Sequence, residues 1–209
     1  MPLDYAPFFP TQAPDPRVSL LTAEKLSVTR GDRALLREFD LVIAAGELVH
    51  LRGANGAGKT SLLETLAGLR RAGAGTIECG ERPPHWLGHR NGLNLQLSAI
   101  ENLQFWCGLN AAPPTAIEPA LERLALPMRA RRRAVRTLSA GQKRRTALAR
   151  LLLQRRALWL LDEPLDGLDA EGLQRFAALV AEHLASGGAV LMTSHQSLPG
   201  ALAARELYL

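Results

Sequence analysis

The sequence predicts an α/β fold built on a mainly parallel sheet. Short apolar runs alternate with segments of helical periodicity along most of the chain. Residues 157–161 and 189–192 are continuously apolar, as strands are when helices cover both faces of a sheet. A glycine-rich loop separates a short strand at 48–51 from a helix, which is the local order of a strand–loop–helix unit.

Taken in order, residues 18–29 and 39–43 read as strands with a turn at Gly31-Asp32, and a second turn falls at Ala45-Gly46. Leu62, Leu63, Leu66 and Leu69 recur at helical spacing, and that helix stops near Gly68. Gly73-Ala74-Gly75 turns the chain. Residues 76–79 and 86–87 read as strands, separated by Pro83-Pro84. Three segments fit a capping box, in which a hydroxyl and a Glu or Gln satisfy the free amides of a helix start: Ser98 with Glu101, Thr115 with Glu118, and Ser139 with Gln142. Ala147, Leu148, Leu151 and Leu152 carry the third helix onward. Residues 171–185 read as a helix that stops at Gly187-Gly188. The capped helices between 98 and 154 are expected to form an inserted lobe.

With 209 residues, 47% of them hydrophobic, the chain can bury a sizeable core as one domain or a domain plus a lobe. Its net charge of +5 permits contact with nucleic acid or an anionic membrane. Arginines crowd residues 129–136, where a solvated face is the plain reading and an acidic partner or lipid headgroups the other. Cys79 and Cys107 form no disulfide or metal spacing. Residues 1–16 lack the basic flank and apolar centre of a leader and are expected to be a flexible tail. No apolar run approaches the ~20 residues of a membrane helix, so a membrane role needs another chain to span.

Gly53-x-x-x-x-Gly58-Lys59-Thr60 matches a phosphate-binding loop. Glycines let successive amides, here those of Gly53, Ala54, Asn55, Gly56, Ala57, Gly58, Lys59, Thr60 and Ser61, turn inward around phosphate oxygens. The helix that follows offers its positive end to the same anion. Lys59 is placed to neutralise the β- and γ-phosphates of ATP, and the Thr60 hydroxyl to ligate Mg²⁺. An apolar strand ends in Asp162-Glu163, and two adjacent acids repel unless a cation is present. Asp162 is expected to hold that metal, and Glu163 to orient and deprotonate the attacking water. Trp159 reads as core.

Together with Leu138-Ser139-Ala140-Gly141-Gln142, these residues resemble the ABC (ATP-binding cassette) ATPase family, from residue 18 to the C-terminus. The resemblance implies a P-loop NTPase fold: a RecA-like core with a mainly parallel sheet, an antiparallel β region and an inserted α-helical lobe. It divides residues 17–209 into a core with the β region (17–88 and 155–209) and a lobe (89–154). It further implies that Ser139 and Gly141 contact the γ-phosphate held by a second copy, in an ATP-sandwich homodimer. Gly167-Leu168-Asp169 resembles the D-loop that crosses that interface, and His195 the switch histidine. Arg30 stands where many members carry an adenine-stacking aromatic. His89 stands where many carry the Q-loop glutamine, Gln96 being too near Glu101 for that role.

The runs Gly88-His89-x-x-Gly92-Leu93, Leu97 to Leu103, Leu138 to Arg145 (including Lys143-Arg144-Arg145), Ala157 to Pro164 and Thr193-Ser194-His195-Gln196 are similar to the CcmA branch, the ATPases of bacterial cytochrome c maturation. That resemblance implies peripheral attachment to the cytoplasmic face of the inner membrane. The implied partners are an integral CcmB-like subunit, with CcmC/CcmD-like and CcmE-like components nearby. ATP hydrolysis would then release haem from its periplasmic chaperone. Rival readings are the ATPase of another importer or exporter, and a soluble ABC ATPase acting on nucleic acid or ribosomes. The latter usually carry coiled-coil insertions or paired cassettes, so no nucleic acid is expected.

Overall fold

The computed structural model describes residues 15, 18–31, 33–80, 82–200 and 202–209. The expected tail, Asp15 apart, and Asp32 of the expected turn lie outside the described residues.

Strands β1 (Ser19–Arg30), β2 (Arg33–Ala44) and β4 (Ala74–Cys79) form an antiparallel sheet in the order β2-β1-β4. Strands β3 (Leu48–Arg52), β5 (His85–Leu87), β6 (Leu158–Leu161), β7 (Ala189–Thr193) and β8 (Arg205–Tyr208) form a parallel sheet in the order β5-β6-β7-β3-β8. The helices are α1 (Lys59–Leu66), α2 (Ala99–Asn110), α3 (Ile117–Arg123), α4 (Met128–Arg131), α5 (Ala140–Leu148), α6 (Arg150–Leu153) and α7 (Ala170–Ala185). Among the described residues, no helix is long and apolar enough to cross a membrane.

Alternation along the central strands explains their unbroken apolar sequence. Trp159, Leu161, Val190 and Met192 face one core with residues of α2, α3 and α5–α7. Leu158, Leu160, Ala189 and Leu191 face a second core with α1 and the antiparallel sheet. Successive side chains of a strand point to opposite faces, so a strand with both faces covered must be apolar at every position. Trp159 is fully buried and stacks on His183, ring centroids 3.7 Å apart and ring planes nearly parallel. Burial pushes the His183 ring down to about 3, so it is neutral at physiological pH.

The helix starts follow their sequence signals in two cases of three. Ser98 Oγ accepts from the Glu101 amide at 3.2 Å while Glu101 accepts from the Ser98 amide at 2.7 Å. Ser139 and Gln142 repeat the exchange at 3.2 and 3.1 Å. Each such cap contributes about 1 kcal/mol. Thr115 does not cap: Pro114–Ala116 form a 3₁₀ turn, and α3 begins at Ile117 after Ala116, with no side-chain cap. Proline's fixed φ starts the turn early, which leaves Thr115 inside it.

Two further departures concern arginine and the chain's end. Arg131, within the arginine run, is buried rather than solvated. It donates to the Leu126 carbonyl at 3.0 Å and to Glu118 at 2.6 Å, pinning α4 to α3, whereas Arg129, Arg132, Arg133 and Arg136 are exposed. Strand β8, which the periodicity did not suggest, pairs with the edge of β3 from Val49 to Arg52.

Candidate functional site

The parallel sheet delivers β3, β6 and β7 side by side with their C-terminal ends on one edge. Everything that follows depends on that edge, where open α/β sheets place their ligand crevices. From β3 the chain enters the loop 53–58 and passes directly into α1 at Lys59. Gly58 caps α1 at φ 107°, a conformation that favours glycine, and a Cβ there would press on Leu35 Cβ at 3.2 Å. Lys59 Nζ donates to the carbonyls of Gly53 (2.7 Å) and Ala54 (3.1 Å), so the loop curls around its own lysine.

Opposite the loop, β6 ends in Asp162 and Glu163, and β7 in Thr193. The Thr60 hydroxyl donates to one Asp162 oxygen at 2.9 Å, and Thr193 Oγ1 donates to the other at 2.8 Å. The Glu163 amide in turn donates to Thr193 Oγ1 at 2.9 Å. Asp162 is therefore held between the phosphate-loop helix and the neighbouring strand. Glu163 turns away from it at φ 51°, a left-handed conformation unusual for a residue with a side chain. Its carboxylate accepts from the His195 amide at 3.0 Å and lies 3.5 Å from His195 Nε2. His195 itself is mostly exposed, whereas the Glu163 side chain is 9% exposed.

Gly58, Lys59, Thr60, Asp162, Glu163 and His195 line one cleft of about 770 Å³, which also takes in Arg30, Ser61, His89, Arg90 and Asp166. Gly53 lies in a smaller hollow beside it, with Lys59 and His195. The His89 ring is mostly exposed, Nδ1 3.8 Å from the Asp166 carboxylate. Ser139, Gly141 and Asp169 are not in this cleft. Ser139 is exposed at the start of α5. A Cβ on Gly141 would come within 2.6 Å of the Gly167 carbonyl, so this glycine lets the 167–169 turn pack against α5 within the chain. Asp169 caps α7, accepting from the Gly172 amide at 2.9 Å, and pairs with Arg145. That amide and that guanidinium hold its carboxyl below the usual range.

Residues 36–166 match the ABC transporter family. The chain belongs to it. An ABC cassette binds and hydrolyses ATP as the motor subunit of a transporter, and the cleft is where its phosphate loop and carboxylates meet. The chain is 45% identical over 181 residues to the cytochrome c biogenesis ATP-binding export protein CcmA of Rhodobacter capsulatus, covering 87% of this chain and 83% of that one. It is 46% identical over 193 residues to the protein of the same name from Bordetella bronchiseptica, covering 85% and 84%. Among solved structures, a putative ABC transporter ATP-binding protein from Pyrococcus furiosus superposes with TM-score 0.75 at 25% identity, covering 90% of this chain and 96% of that one. A dimeric ATP-binding cassette bound to ADP and Pi shares the fold with TM-score 0.73 at 20% identity, covering 84% and 88%.

Several groups of this ABC cassette site have contacts that no motif reveals. Thr193 links both acids, which its place in the run Thr193-Ser194-His195-Gln196 does not disclose. Leu35 packs on Gly58 from near the start of β2 and lines the cleft with Arg30. Arg144 follows the Ser139–Gln142 box by two residues, and its burial depends on carbonyls more than fifty positions away.

Proposed function

We propose that this ABC cassette is the ATPase subunit of a cytochrome c maturation export complex, peripheral to the cytoplasmic face of the inner membrane. The observation that carries the reading is the identity, above 40% over most of both chains, to relatives named CcmA. An integral CcmB-like subunit is then the docking partner, with CcmC/CcmD-like and CcmE-like components beyond it. Phe105 on α2 is 65% exposed and Leu109 71%, side chains that favour a protein contact on the lobe, residues 89–154. Trp106 instead stacks against His85 at 5.8 Å and belongs to the packing. Rival importers or exporters, and soluble cassettes acting on nucleic acid, predict different company. Affinity purification from detergent-solubilised membranes should recover an integral CcmB-like subunit; recovery of a different permease, or of ribosomes, would overturn the assignment.

In the proposed cycle two copies close on two ATP molecules. Each triphosphate lies in the loop 53–58 of one copy, with Lys59 and the amides through Ser61 around it, and meets Ser139 and Gly141 of the other. Asp169 lies beside that interface. Closure adds contacts to the nucleotide that the open state lacks, so ATP shifts the population toward the closed dimer. The Thr60 hydroxyl and Asp162 carboxylate are hard oxygen donors 2.9 Å apart, a set that fits Mg²⁺, which takes one or two protein oxygens beside phosphate and water. When bound, Mg²⁺ supplies charge neutralisation at the phosphates. Glu163 accepts the proton of the attacking water, and His195, aligned by the hydrogen bond its backbone N–H donates to that carboxylate, contacts the γ-phosphate.

His89 lines the same cleft but is not one of the residues of the loop 53–58. His89→Ala is therefore expected to lower kcat about tenfold, within the range for groups that orient rather than perform chemistry, and to leave nucleotide affinity nearly unchanged. Steady-state kinetics with a separate ATP titration check this; an unchanged kcat returns the ring to a surface role.

A further inference from the structure

Among the described residues, Arg144 is a buried cation to which the hydrolysis cycle gives no task. Arg144, in α5, is 2% exposed. Its guanidinium makes no close ion pair with a carboxylate among the described residues. Instead Nη2 donates to the Glu163 carbonyl at 2.6 Å and toward the His89 carbonyl at 3.5 Å, and Nη1 donates to the Gly88 carbonyl at 3.2 Å. Burying a guanidinium is unfavourable, and burial accordingly lowers its pKa, opposed by the fields of Asp166, Asp162 and Glu163. Three backbone carbonyls from two separate segments converge on it.

The most telling of these partners is Glu163. Its φ of 51° is one that a residue with a side chain keeps only where the surroundings over-determine it. The Glu163 amide is fixed by Thr193 Oγ1 at 2.9 Å and its carbonyl by Arg144, so both backbone polar groups of the residue are pinned by side chains from other elements. The carboxylate's direction follows from that backbone. We propose that Arg144 is a positioning residue for ATP hydrolysis, fixing the backbone of Glu163 against the Gly88–His89 turn and the helix that begins after Ser139. Because α5 carries Ser139 and Gly141 at its start, any shift of that helix relative to β6 acts directly on the Glu163 carbonyl. The carboxylate thus reports where the helix lies. Arginine suits the task because its planar fork reaches carbonyls in two directions at once, whereas lysine offers a single compact ammonium.

The inference rests on Glu163 as the base, and the test separates the two. Steady-state ATPase kinetics, nucleotide affinity and thermal midpoint are compared for wild type, Arg144→Lys, Arg144→Met and Glu163→Gln. In both Arg144 variants kcat should fall about 10- to 100-fold, while KM and ATP affinity stay within about twofold. The lysine variant keeps a buried cation and decides the matter if the methionine variant does not fold. An unchanged kcat in Arg144→Lys, with Glu163→Gln inactive, overturns the positioning role and leaves the base assignment standing. A loss shared by kcat and ATP affinity, tracking a lowered midpoint, makes Arg144 merely structural and also overturns it. Sustained turnover by Glu163→Gln removes the base itself.

Discussion

Glu163→Gln should reduce steady-state ATP hydrolysis about 100- to 10,000-fold, the range that a positioned general base supplies, while ATP remains bound. The substitution changes one atom's chemistry and little of the packing. An amide oxygen still accepts from the His195 amide, now at 3.0 Å from the carboxylate, so the turn after β7 keeps its anchor. The Glu163 amide and carbonyl keep their partners Thr193 and Arg144. Asp162 and Thr60, which face the proposed metal, are untouched. What is lost is the capacity to take a proton from water. Because the bound triphosphate then persists, the variant should accumulate as an ATP-bound dimer. Phosphate release under steady state and sedimentation with Mg-ATP check both parts; undiminished turnover would remove Glu163 from the chemistry.

Lys59→Ala should act on the other half of the site. Lys59 Nζ already donates to the Gly53 and Ala54 carbonyls and is the one side-chain cation of the loop 53–60. Losing a charge-assisted contact to phosphate costs about 1.5–3 kcal/mol, or roughly a 10- to 150-fold loss of ATP affinity. The loop also loses the donor that draws two of its carbonyls inward, so the expected effect falls on binding first and on turnover through it. Titration with a fluorescent ATP analogue checks the size; affinity within twofold of wild type would contradict the assignment of the loop.

What the sequence made legible follows from short-range rules. The strand–loop–helix order and the glycine spacing locate the loop 53–58 because φ 107° at Gly58 is a local demand. The continuously apolar runs locate β6 and β7 because both their faces are buried. The capping boxes at Ser98 and Ser139 are likewise local, and the one at Thr115 failed to a local competitor, the proline turn at 114–116. What stayed hidden depends on distant partners. Arg131 and Arg144 look like any surface arginine until the carbonyls of 126, 163 and 88 arrive around them. Thr193 gains its role only when β7 lies beside β6, thirty-one positions from Asp162. Strand β8 is four residues long, mostly exposed and polar at two positions, and only its pairing with β3 makes it a strand.

The cleft between the loop 53–58 and the Asp162–Glu163 edge is read as a grip on Mg-ATP, and calorimetry on the wild-type chain tests that reading most directly. ATP titrated with Mg²⁺ present should bind tightly, and chelating the metal should weaken binding markedly, since Thr60 and Asp162 then lose the cation they would share with the phosphates. Binding that is absent, or identical with and without the metal, would contradict it.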